Sequence, residues 1–275
     1  MPGATDFFTQ ICGISLRCRR IGSQDHESFG ERPCLVFLHE ALGCVEMWKA
    51  FPERLCQRTG LPGVLYDRQG HGKSDPLDGP REREYLHREA REVLPALLRS
   101  LGVERPVFVG HSDGGTIALL FAAAYPDWPC CAVVEAAHVF VEEVTRQGIR
   151  EAVSTYHSTD LESRLAKYHG AKSGDLFRAW SGIWLSDMFS TWNMHHELPF
   201  IQCPLLVIQG VDDQYGTPEQ VRRIVSHSAG PATPLLLSGC GHIPHLEAQE
   251  RVLEAAVNSI YAHCSQSTGS EEKSG

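Results

Sequence analysis

A serine, an aspartate and a histidine, the residue types that together perform covalent acyl transfer, occur along this chain in short glycine-containing motifs. Ser112 is the central residue of a Gly-His-Ser-Asp-Gly pentad, which fits the G-x-S-x-G pattern of a nucleophilic serine. Asp213 ends a Gly-Val-Asp-Asp run, and His242 lies in a Gly-His-Ile-Pro run. A serine hydroxyl is a weak nucleophile until a histidine accepts its proton and a carboxylate orients that histidine. The three side chains therefore predict acyl transfer through a serine.

The sequence around each residue predicts the element that positions it. Residues 106–109 read as a short buried strand and residues 115–124 as a tightly packed helix, so Ser112 lies on a sharp strand-to-helix turn. Asp213 and His242 follow the apolar runs at residues 204–208 and 235–237. All three residues are thus expected at the carboxyl ends of strands, where ligand sites of open α/β sheets lie.

The alternation of β-branched apolar runs with helical patterns predicts a mostly parallel α/β sheet. One or two strands are expected within residues 8–19, and long helices at 45–59, 81–101 and 246–263. Residues 137–199 differ because they are polar, helical and rich in tryptophan. We interpret them as a helical cap inserted into a core formed by residues 1–136 and 200–264. The polar residues 265–275 are expected to be a disordered tail.

Composition excludes several classes of function. The 275 residues carry a formal net charge of −9 with no long basic cluster, which argues against nucleic-acid binding. No apolar stretch has the length of a membrane span, and residues 1–10 lack a secretory pattern. The protein is therefore expected to be cytoplasmic, and its ten cysteines are expected to be reduced thiols. The expected partner is a small-molecule substrate. The oligomeric state stays open.

No metal or organic cofactor is implied by the motifs. The Gly-Lys-Ser run ending at Ser74 lacks the glycine that a phosphate-binding loop needs, because Asp67 stands at that position. No H-E-x-x-H or H-x-x-E-H motif is present in the sequence, and the histidines are scattered.

Five motifs, taken together, resemble those of the α/β-hydrolase-fold serine hydrolases over about residues 30–263. They are His-Glu-Ala-Leu-Gly at 39–43, Asp-Arg-Gln-Gly-His-Gly-Lys-Ser at 67–74, the pentad, Gly-Val-Asp-Asp at 210–213, and Gly-His-Ile-Pro at 241–244. The resemblance implies an eight-stranded-type sheet with helices on both faces. It also implies that Ser112 is the nucleophile, His242 the base and Asp213 the acid.

Other residues compete for two of these roles. Asp212 adjoins Asp213 and is interpreted as a turn residue. Glu135 ends the strand after the pentad, where some relatives place the acid. His245 competes with His242, but the Gly-His-x-Pro context favours His242.

Two backbone N–H groups are expected to bind the oxyanion that forms during acyl transfer. One is the N–H of Asp113, directly after the nucleophile. Alignment with the His-Gly-x pattern of the resembled family gives Ala41 as the other. Glu40 replaces the usual glycine there, which places a carboxylate near the pocket or, alternatively, toward solvent or a basic neighbour such as Arg68.

Asp113, Trp180 and Trp184 are candidate substrate-binding residues. The Ser-Asp-Gly-Gly run resembles the valacyclovir hydrolase (biphenyl hydrolase-like) group, in which the aspartate binds a substrate amino group. Alternatively, an aspartate simply suits the first turn of a helix. The tryptophans could line an apolar acyl pocket or pack within the cap.

The sequence therefore predicts a hydrolase of small-molecule carboxylic esters. Hydrolysis of a carbon–carbon bond in a diketone-type acid, or of a lactone or thioester, is open to the same residues. A non-catalytic ligand receptor built on the same fold is the alternative from another class, since fold alone does not fix function.

Overall fold

One eight-stranded sheet carries all of the elements that position the predicted site. The computed structural model describes residues 3–22 and 29–264, so the predicted tail lies outside the described residues. The strands are β1 Ala4–Ile11, β2 Ile14–Ile21, β3 Cys34–Leu38, β4 Gly63–Tyr66, β5 Pro106–His111, β6 Cys131–Glu135, β7 Leu205–Gly210 and β8 Ala232–Leu237. Their order is β1-β2-β4-β3-β5-β6-β7-β8, with β1 and β2 antiparallel to their neighbours and all other pairs parallel. The predicted fold class is confirmed.

Burial on both faces explains why the central strands read as continuous apolar runs. Every residue of β3, β5, β6 and β7 is buried. Parallel strands are joined by crossover helices that cover both faces of a sheet. Two apolar clusters accordingly flank this sheet, one built around Phe108, Phe121 and Leu97 and the other around Phe37 and Leu253.

Ten helices are described in residues 3–22 and 29–264. They are α1 Phe51–Thr59, α2 Tyr85–Arg88, α3 Leu94–Ser100, α4 Asp113–Ala124, α5 Glu143–Ser158, α6 Leu161–His169, α7 Ser173–Leu185, α8 Pro218–His227, α9 Pro244–Glu247 and α10 Gln249–Cys264. None of them combines the length and the apolar character that a helix needs to cross a membrane.

Of the three predicted long helices, those at 45–59 and 246–263 are wrong as continuous elements, and the one at 81–101 begins late and has an irregular turn. The expected helix at 45–59 is a 3-10 turn, Val45–Trp48, followed by α1, because Lys49 between them has a φ of 56°. In the helix predicted at 246–263, Ala248, with a φ of −130°, separates α9 from α10.

The expected helix at 81–101 starts only at Tyr85, and a π-helical turn, Glu89–Val93, joins α2 to α3. Pro95 lies in the first turn of α3 and cannot donate to the preceding turn, which fits the altered hydrogen bonding there.

Residues 137–199, which connect β6 to β7, hold helices α5, α6 and α7. Helices α5 and α7 pack through stacked rings of Tyr156 and Phe177, 3.9 Å apart. Gly148 of α5 closely approaches the loop after β7. A Cβ on Gly148 would lie 2.6 Å from the Gln214 carbonyl oxygen and 2.9 Å from the Tyr215 ring. That this segment acts as a cap over the site stays a prediction.

Three buried histidines have lowered pKa values. Burial holds the pKa of His39, His71 and His111 well below the ordinary 6.5, and neighbouring positive charges add to the effect. The folded protein therefore keeps these rings neutral at pH values where the unfolded chain binds protons.

We expect the free energy of unfolding to fall as the pH drops below about 6.5. The unfolded state then binds more protons than the folded state, and each such histidine contributes a loss on the order of 1 kcal/mol between pH 7.5 and 5.5. Urea titrations at the two pH values measure the loss. His39→Gln should reduce it by one histidine's share, whereas Val36→Ala, which removes buried apolar atoms, should lower stability equally at both. Equal losses in wild type and His39→Gln would contradict this interpretation.

Candidate active site

Ser112 sits on a turn that only small neighbours allow. Its φ is 53° and its ψ is −117°, which is unusual for a residue with a side chain. A Cβ on Gly114 would lie 1.9 Å from the Leu38 carbonyl oxygen, and one on Gly110 would lie 2.5 Å from the Gly114 oxygen. The Ser112 N–H donates to the Glu135 carbonyl oxygen at 2.8 Å, which ties the turn to β6. The strand and helix predicted on either side of the serine are β5 and α4.

His242 lies between Ser112 and Asp213. Its Nε2 is 3.1 Å from Ser112 Oγ, and its Nδ1 is 2.9 and 2.8 Å from the two Asp213 carboxylate oxygens. The Asp213 carboxylate also accepts from Gln209 Nε2 at 2.6 Å and from the Tyr215 N–H at 2.8 Å. Burial opposes ionisation of Asp213, but these hydrogen bonds, that with His242 foremost, lower its pKa. The structure thus brings the three predicted residues together.

Hydrogen bonds to the backbone at Gly241, His242 and Ile243 fix the loop that carries His242. The Glu247 carboxylate accepts the N–H groups of Gly241 and Ile243 at 2.6 and 3.0 Å. His111 Nε2 donates to the His242 carbonyl oxygen at 2.7 Å. His111 and Glu247 are not recognisable as supporting residues from the sequence, because only the folded loop brings them together.

The two residues that competed for acid and base, Glu135 and His245, pair with each other. His245 Nδ1 lies 3.0 Å from Glu135 Oε2, which also accepts the His245 N–H at 3.1 Å. Both side chains are buried, and the His245 ring packs 4.5 Å from Trp48. Asp212, the other candidate acid, is exposed. This buried pair therefore anchors the start of α9, just after His242.

In the loop after β3, the peptide bond between Glu40 and Ala41 is oriented by hydrogen bonds to its carbonyl oxygen. The Glu40 carbonyl oxygen accepts from Arg68 Nη2 at 2.8 Å, from His39 Nδ1 at 2.7 Å and from the Gly43 N–H at 3.1 Å. Because C=O and N–H point in opposite directions in a trans peptide, this arrangement turns the Ala41 N–H away from Arg68.

Glu40 fits this loop without the backbone freedom of glycine. It is not among the described residues with positive φ. Its carboxylate accepts the Leu42 N–H at 2.7 Å, and burial raises the pKa of Glu40. Arg68 contacts the Glu40 carbonyl instead of the carboxylate.

The Asp113 carboxylate, one residue after Ser112, is surrounded by polar groups. Tyr85 Oη donates to Asp113 Oδ2 at 3.0 Å, and Trp184 Nε1 donates to Tyr85 Oη at 2.9 Å. Arg68 Nη1 and Arg81 Nη1 each lie 3.6 Å from the same Oδ2. Arg81 and Tyr85 were not predicted as site residues, because nothing in their spacing links them to a residue so far along the chain.

The two candidate tryptophans are both buried but differ in their distance from this cluster. Trp184 donates a hydrogen bond to Tyr85, which belongs to the cluster, and the centroid of its ring lies 5.3 Å from that of His138. Trp180 packs against Phe177 and Tyr215. The Tyr215 ring in turn lies 4.8 Å from the His242 ring.

One group of three side chains suited to a metal occurs within residues 3–22 and 29–264. It consists of Cys44, Glu46 and Asp67. Arg17 already neutralises it, because its guanidinium lies 2.7 Å from Glu46 Oε1 and 3.4 Å from Asp67 Oδ2. Burial raises the pKa of Cys44 to about 12, which disfavours the thiolate that a metal binds. This cluster is a buried ion-pair network.

The parallel sheet, the turn at Ser112 and the order of serine, acid and histidine define a class of protein, and comparison with known families agrees. Residues 35–255 match the alpha/beta hydrolase family, so this chain belongs to that family. It is an enzyme, a hydrolase.

Individual relatives are similar at modest identity. The chain is 27% identical to serine hydrolase BPHL of Mus musculus over 234 residues, covering 83% of this chain and 77% of that protein. It is 26% identical to the bifunctional esterase/perhydrolase DCH of Acinetobacter calcoaceticus over 187 residues, covering 57% of this chain and 66% of DCH. The crystal structure of MGS-M2, an alpha/beta hydrolase from a deep-sea metagenome library, superposes with a TM-score of 0.74 at 20% identity. That superposition covers 97% of this chain and all of MGS-M2.

The family resemblance implies that the Ala41 N–H binds the oxyanion, and Arg68→Met should remove the orientation of this N–H. On that hypothesis we expect kcat to fall about 100-fold with a small change in KM. Steady-state hydrolysis of a 4-nitrophenyl ester measures both constants, and circular dichroism checks folding. Arg68→Lys should restore part of kcat, and Arg58→Met, on the surface, is the matched control. An unchanged kcat in a folded Arg68→Met protein would show that Arg68 does not position this loop.

Proposed function

We propose that this enzyme hydrolyses small-molecule carboxylic esters through a covalent acyl-enzyme on Ser112. The observation that carries the proposal is the continuous hydrogen-bonded row Ser112 Oγ, His242 and Asp213, with separations of 3.1 Å and 2.8 Å. In this row the Nδ1–H of His242 is held by Asp213, which leaves Nε2 free to accept a proton from the hydroxyl.

The reaction proceeds in two steps. Ser112 Oγ attacks the ester carbonyl carbon while its proton passes to His242 Nε2, and the N–H groups of Ala41 and Asp113 bind the oxyanion. His242 then protonates the leaving alcohol, and the acyl group remains on Ser112. A water molecule, deprotonated by His242, attacks the acyl carbon. His242 then returns that proton to Ser112 Oγ as the bond from Oγ to the acyl carbon breaks and the carboxylic acid leaves. Asp213 stays ionised and stabilises the charged imidazole, which agrees with its lowered pKa.

Several features favour Asp213 over Glu135 as the acid. Glu135 binds His245, and that ring makes no described contact with Ser112. Gln209 and Tyr215 hold the Asp213 carboxylate against His242 Nδ1 from two sides.

The esterase named among the relatives supports an ester as the bond that is hydrolysed. The row of side chains favours turnover over ligand reception, because a receptor does not require a base within 3.1 Å of a serine hydroxyl.

We expect Asp213→Asn to lower kcat by about 10³- to 10⁴-fold and Ser112→Ala by about 10⁶-fold, as in other enzymes with a serine, a histidine and an aspartate. The loss in Asp213→Asn follows because an asparagine no longer favours the reactive imidazole tautomer. Hydrolysis of 4-nitrophenyl butyrate measures both effects.

Glu135→Gln is the matched control and should retain kcat within about tenfold, since it changes a buried pair that takes no part in proton transfer. A panel of lactones, thioesters and diketone acids, assayed with wild type and Ser112→Ala, tests the type of bond. Full activity in Ser112→Ala, or a larger loss in Glu135→Gln than in Asp213→Asn, would refute the proposed mechanism.

A further inference from the structure

A cavity of about 350 Å³ lies beside the residues that surround Asp113. Its lining includes Arg68, Arg81 and Tyr85, the three residues whose side chains contact Asp113 Oδ2. Asp113 directly follows the nucleophile in the chain, and these three side chains lie between the cavity and Asp113; Ser112 and His242 are not part of the cavity lining.

We call the part of the cavity formed by Arg68, Arg81 and Tyr85, next to Asp113, its inner end. Positive charge exceeds negative charge there. The side chains of Arg68 and Arg81 are only 4% and 5% exposed, and both guanidinium groups face the single Asp113 carboxylate. Glu89 also lines the cavity, but its carboxyl accepts the Tyr66 hydroxyl at 2.7 Å, and burial raises its pKa.

The other carboxylates of the lining lie in a different environment. They are exposed to water, which screens their charges, and they are Asp78, Glu82 and Glu84. The desolvated inner groups therefore determine the charge that a bound ligand meets.

Two buried guanidinium nitrogen atoms at the inner end, Arg81 Nη1 and Arg68 Nε, make no hydrogen bond within the described part of the chain. Arg81 Nη1 makes only the 3.6 Å ion pair with Asp113 Oδ2. The remaining Arg81 nitrogen on that side, Nη2, lies 3.3 Å from His71 Nε2. A buried donor without an acceptor is unfavourable, so an oxygen-rich group supplied by a ligand would satisfy what the protein leaves unpaired.

We infer that this cavity binds a carboxylate of the substrate, so that the enzyme prefers esters whose acyl part carries a free acid group. Planar guanidinium groups match the geometry of a carboxylate and bind it strongly when water is excluded. The inference rests on the proposed ester hydrolysis at Ser112. It departs from the amino-group recognition implied by the resemblance at Asp113, because an ammonium ion there would meet two guanidinium groups.

The test compares 4-nitrophenyl esters that differ in terminal charge and, among the acid esters, in chain length. These are the 4-nitrophenyl monoesters of succinic, glutaric and adipic acid, the neutral butyrate, and the 4-aminobutyrate. Wild type should show a kcat/KM for one of the acid esters about tenfold or more above that of the butyrate. The 4-aminobutyrate should be hydrolysed no faster than the butyrate.

Arg81→Met should reduce the preference for the acid ester at least tenfold. Arg83→Met, two residues away and outside the cavity lining, is the matched control and should keep the wild-type preference. No preference for any acid ester in wild type, a preference for the aminobutyrate, or an unchanged preference in Arg81→Met would each overturn the inference.

A binding measurement separates this inference from the proposed function. Glutarate should raise the melting temperature of the Ser112→Ala protein, and neither glutaramide nor 1,4-diaminobutane should do so. Arg81→Met in the same background should lose the effect of glutarate. Stabilisation by glutarate without hydrolysis of any ester would refute the proposed function and leave the carboxylate site standing. Hydrolysis of neutral esters without glutarate binding would refute the site alone.

Discussion

The rest of the site depends on one tightly constrained turn of the backbone at Ser112. A residue with a side chain at a φ of 53° is held there at a cost of about 1–3 kcal/mol, which the surrounding contacts must offset. The hydrogen bond from Ser112 N–H to the Glu135 carbonyl oxygen is one such contact, and the missing side chain of Gly114 lets the turn lie close to the Leu38 carbonyl. The turn therefore joins three adjacent parallel strands, β3, β5 and β6, and presents the hydroxyl at their carboxyl ends.

Supporting groups hold the partners of that hydroxyl without taking its proton. Glu247 and His111 fix the loop on either side of His242, and the buried pair of Glu135 and His245 fixes the chain just beyond it. Burial keeps the pKa of His111 well below its ordinary value, so this ring supports the loop as a neutral donor. On the opposite side, Arg68 holds the carbonyl behind Ala41.

Local patterns in the sequence predicted the elements that depend on local structure. The pentad, its strand and its helix, and the order of Ser112, Asp213 and His242, follow from residue types and spacing. The breaks at Lys49 and Ala248 and the π-helical turn at Glu89–Val93 were not predicted, because an amphipathic pattern continues through an irregular turn. The pairing of Glu135 with His245 and the cluster around Asp113 depend on contacts between residues separated by 28 to 110 positions. No local pattern encodes such contacts.

The central claim, that Ser112 is an activated nucleophile, is tested most directly by covalent labelling with a fluorophosphonate followed by mass spectrometry of the peptides. The account predicts one adduct, on Ser112, formed rapidly in wild type, absent in Ser112→Ala and formed far more slowly in His242→Ala. An adduct on another residue, or no adduct on folded wild-type protein, would contradict it.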